Sequence, residues 1–223
     1  MKIVGLQSSP RGKNSNTLKL LNAALEGARE SGAEVEVIDV TRLNIRYCTG
    51  CGVCRRTGKC TLKDDYPMLL DKMMLADGLI LSSPNYMSNI TAPLKAVLDR
   101  SANCVHEQQL AGEYALSIMT AGGSDEELVL GMMNSFLKES GATVIGGVGH
   151  LMNRGPSAME AAIKRAHDMG ADLVDAIREK RIYPEQVKEH AEWRERFAKT
   201  IKNNEKNWSH NYDYWVNEGW IKP

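Results

Sequence analysis

The 223-residue sequence lacks several features that would assign it to a functional class directly. Its 28 lysines and arginines equal its 28 aspartates and glutamates, so no net charge favours nucleic acid or a membrane surface as a partner. No apolar run approaches the ~20 residues that span a bilayer. The apolar N-terminal segment is too short, and too soon interrupted by polar residues and proline, for a secretion signal. We therefore expect a cytoplasmic protein that binds neither nucleic acid nor membranes.

Cysteine is scarce, but it is clustered. Four of the five cysteines lie within thirteen positions of the segment YCTGCGVCRRTGKCTLKDD, residues 47–65, namely Cys48, Cys51, Cys54 and Cys60. The fifth, Cys104, stands apart and is interpreted as a buried or surface thiol. In a reducing compartment, clustered cysteines are more often metal ligands or redox groups than structural disulfides. The five histidines show no metal-binding spacing and are interpreted as structural.

Short apolar runs alternate with helical patterns over the first 180 residues. Strands are predicted over 2–7, 34–40, 77–83, 114–121 and 142–150. Helices are predicted over 16–31, 66–76, 91–104, 125–141 and 157–180. Five strand–helix units predict an α/β fold, a flavodoxin-like doubly wound parallel sheet of strand order 2-1-3-4-5 with helices on both faces.

The composition changes after Pro184, where the chain becomes charged and then aromatic. All four tryptophans lie beyond this point: Trp193, Trp208, Trp215 and Trp220. We predict a domain over 1–181 and a C-terminal helical, aromatic extension over 182–223, too small to be a domain. This extension is expected to pack on the domain or on a partner subunit, with its aromatic residues at a dimer interface.

The loop QSSPRGKNSNT, residues 7–17, joins the first strand to the first helix. Ligands of open parallel sheets bind at the carboxyl ends of the strands, where the first helix offers free N–H groups and its positive dipole end. The loop lacks the glycine spacing of a dinucleotide site and the ending of a P-loop. Its hydroxyl and amide side chains, with Arg11, suit a monophosphate held without metal. An ordinary helix-capping turn is the alternative.

A second loop follows the third strand, in SSPNYMSNITAPLKAVLDR, residues 82–100. Together with GLQSSPRGKNSNT it resembles, in order and spacing, the two signatures of the NADPH-dependent FMN reductase family, over residues 1–180. The resemblance implies that the FMN phosphate is held by Ser9, Arg11, Ser15, Asn16 and Thr17. It also implies that the isoalloxazine and ribityl chain are lined by Pro84, Asn85, Tyr86, Met87 and Ser88, and by Ala121, Gly122 and Gly123 of the segment TAGGS.

The flavin carries the chemistry of such proteins, so no catalytic side chain is implied. The segment MNRGPS, residues 152–157, follows the fifth strand. It is interpreted as capping the last sheet helix through Ser157 rather than as lining the flavin.

The cysteine spacing is Cys-x2-Cys-x2-Cys-x5-Cys, with Gly50 and Gly52 allowing a tight loop. Ferredoxins share this opening but end in a three-residue gap followed by proline. The segment closely resembles the compact motif of iron-sulfur flavoproteins, a branch of the same family. This resemblance implies a [4Fe-4S] cluster on Cys48, Cys51, Cys54 and Cys60. It also implies electron transfer between that cluster and FMN of a neighbouring subunit, in a homodimer or homotetramer with the flavin near the interface.

Several alternatives remain open at this point. The cysteines could instead hold zinc, form reversible disulfides, or carry no cofactor. The leading hypothesis is an FMN-dependent oxidoreductase that exchanges electrons with the cluster. The alternatives are an NAD(P)H-dependent FMN or quinone reductase without a cluster, and a redox sensor. NAD(P)H and a ferredoxin are candidate electron donors, and small molecules such as quinones are candidate acceptors.

Overall fold

A computed structural model describes all residues 1–223. Five parallel strands form one sheet in the order β2-β1-β3-β4-β5, which confirms the predicted flavodoxin-like topology. The strands are β1 (Lys2–Gln7), β2 (Glu34–Asp39), β3 (Gly78–Pro84), β4 (Tyr114–Ala121) and β5 (Thr143–Leu151). Each predicted strand therefore lies within one or two residues of an observed one. No helix is both long and apolar enough to cross a bilayer.

Nine α-helices surround and extend the sheet. They are α1 (Asn16–Glu30), α2 (Val53–Thr57), α3 (Tyr66–Met74), α4 (Ala92–Arg100), α5 (Ala102–Glu107), α6 (Glu126–Glu139), α7 (Pro156–Glu179), α8 (Pro184–Asn203) and α9 (Ser209–Asn217). The single helix predicted over 91–104 is wrong. α4 ends at Arg100, and Ser101 closes it by donating its N–H to the Val97 and Leu98 carbonyls before α5 begins.

Each face of the sheet carries its own apolar core, because successive strand residues point to opposite sides. On one face, Ile3 packs in a cluster with residues of α1 and α7. On the other face, Val4 packs in a cluster with residues of α3, α4 and α6. Every residue of β4, which lies between β3 and β5, is buried. Because helices cover both faces of the sheet, the sequence of this strand is a nearly continuous apolar run.

Helices α1 and α7 cross in close contact at two glycines. A Cβ added to Gly170 would lie 1.8 Å from the Ala24 carbonyl oxygen, and one added to Gly27 would lie 2.0 Å from the His167 carbonyl oxygen. Only residues without a side chain allow this approach of the two backbones. The crossing fixes α1, and with it the loop that precedes α1.

The C-terminal helices pack on the chain's own sheet domain. Trp193, Ile201, Trp215 and Ile221 form a separate small core. Trp215 is fully buried, and its Nε1–H donates to the His106 carbonyl at 2.8 Å. This indole therefore lies within its own chain rather than at the expected interface between subunits, because its N–H finds a buried acceptor on α5.

Candidate functional site

A cavity of about 280 Å³ opens at the carboxyl ends of β1, β3 and β4. Ten of the thirteen predicted flavin residues line it: Ser9, Arg11, Ser15, Asn16, Thr17, Pro84, Asn85, Tyr86, Ala121 and Gly122. Thr120 and Met152 complete the lining and were not predicted. The three loops come together because parallel strands present all their carboxyl ends at one edge of the sheet.

The loop before α1 is held by buried hydroxyl groups. Ser15 caps the helix, accepting the Leu18 N–H at 3.1 Å, and the Thr17 and Thr120 hydroxyls are 2.6 Å apart. A serine that accepts a hydrogen bond keeps its own proton to donate, and one hydroxyl of the threonine pair does the same. The loop thus supplies hydroxyl donors beside the N-terminus of α1 and the Arg11 side chain.

The loop after β3 is held by the Asp125 carboxylate. Asn85 Nδ2 donates to Asp125 Oδ2 at 3.1 Å, and the hydroxyls of Ser88 and Ser124 each donate to it at 3.0 Å. These hydrogen bonds lower the pKa of Asp125 because they stabilise the charged form. The carboxylate therefore ties the β3 loop to the β4 loop. This role of Asp125 could not be predicted, because an aspartate at the start of a helix is common and carries no sign of contacts with distant loops.

Three predicted flavin residues lie outside the cavity lining. Met87 is 97% exposed, and both Met87 and Ser88 adopt left-handed backbone conformations, with φ of +53° and +58°. Gly123 lies against Asn153, whose side-chain nitrogen would be 3.0 Å from an added Cβ. A role for these three in flavin contact stays a prediction.

The segment after β5 contributes to the cavity, contrary to expectation. Met152 lines the cavity, with its Sδ 3.3 Å from Asn16 Nδ2. The predicted cap by Ser157 is wrong. Helix α7 begins at Pro156 with Gly155 as its N-cap, and no side chain caps it. Gly155 has φ of +83°, so backbone conformation rather than a serine side chain sets the start of this helix. Only the position of Met152 directly after a strand could have indicated this role, because an apolar side chain carries no chemical signal for a ligand.

All four clustered cysteines line a second, small cavity of about 30 Å³. It is lined by Cys48, Thr49, Cys51, Gly52, Cys54, Cys60, Thr61, Leu62, Arg100 and Ala102, and it shares no residue with the first cavity. Helix α2 carries Cys54 and is flanked by Gly52 and Gly58, both with left-handed φ near +70°. Glycine at both positions lets the loop turn back on itself without steric strain.

The environments of the thiols differ. A hydrogen bond from the Val53 backbone, helped by Thr49, lowers the pKa of Cys51, whereas burial raises the pKa of Cys54. All five cysteines are free thiols. Cys104 is fully buried, away from the cluster, and burial raises its pKa to about 12.

The thiols do not converge on one point. No group of three or more His, Cys, Asp or Glu side chains is arranged to hold a single metal ion. A tetrahedral zinc site needs such convergence. In a [4Fe-4S] cluster each thiolate binds a different iron, so four sulfurs around one shared space fit that group better.

A buried ion pair supports the cysteine loop and was not predicted. Arg100 donates to both carboxylate oxygens of Asp64, at 2.6 and 3.2 Å, and the two side chains are 1% and 0% exposed. Arg100 also donates to the Arg46 carbonyl at 2.9 Å, and Asp64 accepts the Arg46 N–H at 2.9 Å. The pair therefore fixes both ends of the cysteine segment to α4.

The C-terminal helix α9 contacts the same segment from outside. The Arg55 guanidinium lies 4.3 Å from the centre of the Trp208 ring, and the Ser209 hydroxyl donates to the Arg56 carbonyl at 3.2 Å. The His210 ring packs against Gly58, and its Nε2 is 3.2 Å from the buried Glu107 carboxylate. The later part of the cysteine loop, with the half-buried Cys54 and Cys60, is thus packed between α4 and α9, whereas Cys48 and Cys51 are exposed.

Known proteins resemble this chain in sequence and in fold. The family model of NADPH-dependent FMN reductase matches residues 1–156. An iron-sulfur flavoprotein of Archaeoglobus fulgidus is 36% identical over 99% of this chain and 100% of its own length. One from Methanosarcina thermophila is 33% identical over 67% of this chain and 80% of its own. Among solved structures, an NAD(P)H:quinone oxidoreductase from Methanothermobacter marburgensis superimposes with a TM-score of 0.62 at 23% identity, covering 78% of this chain and 96% of its own.

The structural likeness supports the fold, and the family model and the two relatives support more than the fold. They span most or all of the chain, including the loop that lines the first cavity. The chain belongs to the NADPH-dependent FMN reductase family and is a flavin-dependent oxidoreductase.

Proposed function

We propose that this oxidoreductase binds FMN in the cavity at the carboxyl edge of the sheet and exchanges electrons between FMN and a [4Fe-4S] cluster. Cys48, Cys51, Cys54 and Cys60 would hold the cluster. The observation that carries this proposal is that one short loop brings all four thiols to a single cavity. The name of the relatives, iron-sulfur flavoprotein, supports the same pairing of cofactors.

The β1–α1 loop would bind the phosphate of FMN. Arg11 would supply a positive charge, while Ser9, Ser15, Asn16 and Thr17 would donate hydrogen bonds from hydroxyl and amide groups. The N-terminus of α1 would add free backbone N–H groups and its dipole. The hydroxyls of Ser15 and Thr17 are held in place before a ligand arrives, because one caps the helix and the other pairs with Thr120.

The β3 and β4 loops would position the ring system. Pro84, Asn85 and Tyr86 lie on one side of the cavity, and Ala121 with Gly122 lie on another. The Asn85 N–H is already bonded to the Thr120 carbonyl at 2.7 Å, so it braces the loop rather than the ligand. Tyr86 is 44% exposed and offers a flat face at the mouth.

When bound, FMN would supply conversion between two-electron and one-electron transfer, and the cluster would supply a one-electron site. The chain's own part at the cluster would be to hold four thiolates and to balance their charge. The basic residues Arg55, Arg56, Lys59 and Lys63 lie on the same loop and offset part of that charge. No side chain need move a proton for this chemistry.

We further propose a homodimer or homotetramer in which the flavin lies near the interface between subunits. Support comes from Tyr86, an exposed aromatic residue of the cavity lining, and from the exposed Met87 that follows it, because such apolar side chains would be covered by another subunit. NAD(P)H or a ferredoxin would donate electrons. The division into a domain over 1–181 and an extension over 182–223 belongs to the same proposal.

The test is cofactor analysis of protein purified without air. Iron, acid-labile sulfide and FMN are assayed together, and we expect about four irons and four sulfides per FMN. The C54S variant should lose iron and keep FMN, whereas the control C104S should keep both. FMN without iron in anaerobic protein would leave an NAD(P)H-dependent FMN or quinone reductase. Failure to bind FMN would refute the flavin site itself.

A further inference from the structure

Arg100 is the only basic residue among those that line the cysteine cavity. Its guanidinium is almost fully buried and stacks over Tyr66, 4.6 Å from the ring centre. A buried cation is costly unless it is paired, and Asp64 provides that pairing. The exposed lysines and arginines of the loop differ in this respect, because water screens their charge.

Three of the five N–H donors of Arg100 make hydrogen bonds, and the Nε–H is among the donors that remain. The two terminal nitrogens are used by Asp64 and the Arg46 carbonyl, but the Nε–H is buried and has no partner. Buried donors are rarely left unpaired, so an orphan beside a cavity points to a missing acceptor. Four thiolates and sulfide would supply acceptors of that kind.

The neighbourhood of Cys60 points the same way. Arg100 and Cys60 line the same small cavity, and the guanidinium of an arginine is not deprotonated in proteins. The guanidinium therefore stays charged next to one of the proposed cluster ligands. Asp64 holds it there through two hydrogen bonds, which fixes the plane of the guanidinium.

We propose that Arg100 is a positioning residue for the iron-sulfur cluster, placing a buried positive charge and the free Nε–H donor beside its sulfurs and thereby raising its reduction potential. This inference rests on the proposed cluster site. Reduction adds one electron to the cluster and leaves Arg100 protonated, so the charge favours the reduced form. Hydrogen bonds to sulfur and local charge are established determinants of cluster potential.

The test is a potentiometric titration of the cluster, followed by its electron paramagnetic resonance signal, in anaerobic wild-type protein and in R100Q. We expect the equilibrium constant for cluster reduction to fall about tenfold or more in R100Q, a shift of about 59 mV to lower potential for one electron. R100K keeps the charge but lacks the planar fork, and it should restore part of the shift.

R56Q is the matched control, since it removes an exposed positive charge from the same loop. It should shift the potential much less than R100Q does. Equal shifts in the two variants, or no shift in R100Q with its cluster intact, would overturn the proposal and leave Arg100 a purely structural partner of Asp64.

If R100Q does not fold, a second variant provides the test. D64N with R100Q replaces the ion pair by two amides that can bond to each other, and FMN content reports the fold. A folded double variant with the wild-type potential would likewise contradict the role of Arg100. Absence of iron in the wild-type protein would instead refute the cluster site, so the two failures are distinguishable.

Discussion

The contact between α9 and the cysteine loop can be tested at Gly58. This residue has φ of +73°, and an added Cβ would lie 2.5 Å from Cε1 of His210. G58A therefore introduces two costs, backbone strain and a clash with the His210 ring. The ring can relieve the clash only by moving away from the buried Glu107 carboxylate, 3.2 Å from its Nε2.

Gly52 provides the matched control. It has φ of +70° in the same loop, and nothing lies within 4 Å of an added Cβ. The left-handed conformation costs an alanine about 1–2 kcal/mol at either position. The clash should cost G58A about 1–3 kcal/mol more, the usual range for overpacking. The difference between the two variants thus isolates the contact with α9.

The assay is urea unfolding of both variants and the wild type at saturating FMN. We expect the free energy of unfolding to fall further in G58A than in G52A, with equal dependence on urea concentration. Near-UV circular dichroism of the tryptophans should change in G58A alone, because Trp208 lies two residues before His210. Equal losses of unfolding free energy in G58A and G52A would show that the contact between His210 and Gly58 does not stabilise the loop, which would contradict the prediction.

Three further predictions concern other parts of the chain. T17V leaves the Thr120 hydroxyl without its buried partner at the phosphate loop, so FMN affinity in a fluorescence titration should fall about tenfold, whereas T17S should restore it. W215F leaves the His106 carbonyl buried and unpaired, and should lower the free energy of unfolding in urea by about 1–3 kcal/mol. Burial raises the pKa of Glu113 from 4.5 to about 8, so the free energy of unfolding should fall as the pH rises between these values; E113Q should remove that fall and stabilise the protein at pH 8, by urea unfolding at both pH values.

The strands and helices of the sheet domain could be predicted because each has its own pattern of apolar residues over a short stretch of sequence. A strand covered on both faces reads as a continuous apolar run, and a helix between two such strands shows one apolar face. The order of the strands then follows from the five alternating units and the doubly wound fold. The break between α4 and α5 could not be predicted in this way, because Ser101 is neither glycine nor proline and both helices continue the same apolar pattern.

The cavity for FMN was predictable to the extent that its residues lie directly after strands. The β1 and β3 loops carry polar residues at the carboxyl ends of adjacent strands, so their approach follows from the topology. Met152 also follows a strand, but its apolar side chain gave no chemical signal. Asp125 accepts hydrogen bonds from three side chains on two loops. These side chains come together only in the folded chain, so the sequence does not predict the contacts.

In the cysteine loop, the spacing of the cysteines predicts the candidate ligands, but it does not predict the residues that surround them. The spacing predicts that four sulfurs lie at one site, but it does not predict which distant residues pack around them. Arg100 lies forty positions beyond Cys60, and nothing in the sequence pairs it with Asp64. Both are buried, because α4 passes directly behind the loop and the ion pair links them. A loop rich in lysine and arginine thus has one more positive charge beside its cavity, a buried one that comes from a helix outside the motif. If the cysteines hold the proposed cluster, its reduction potential depends on that packing as well as on the cysteines.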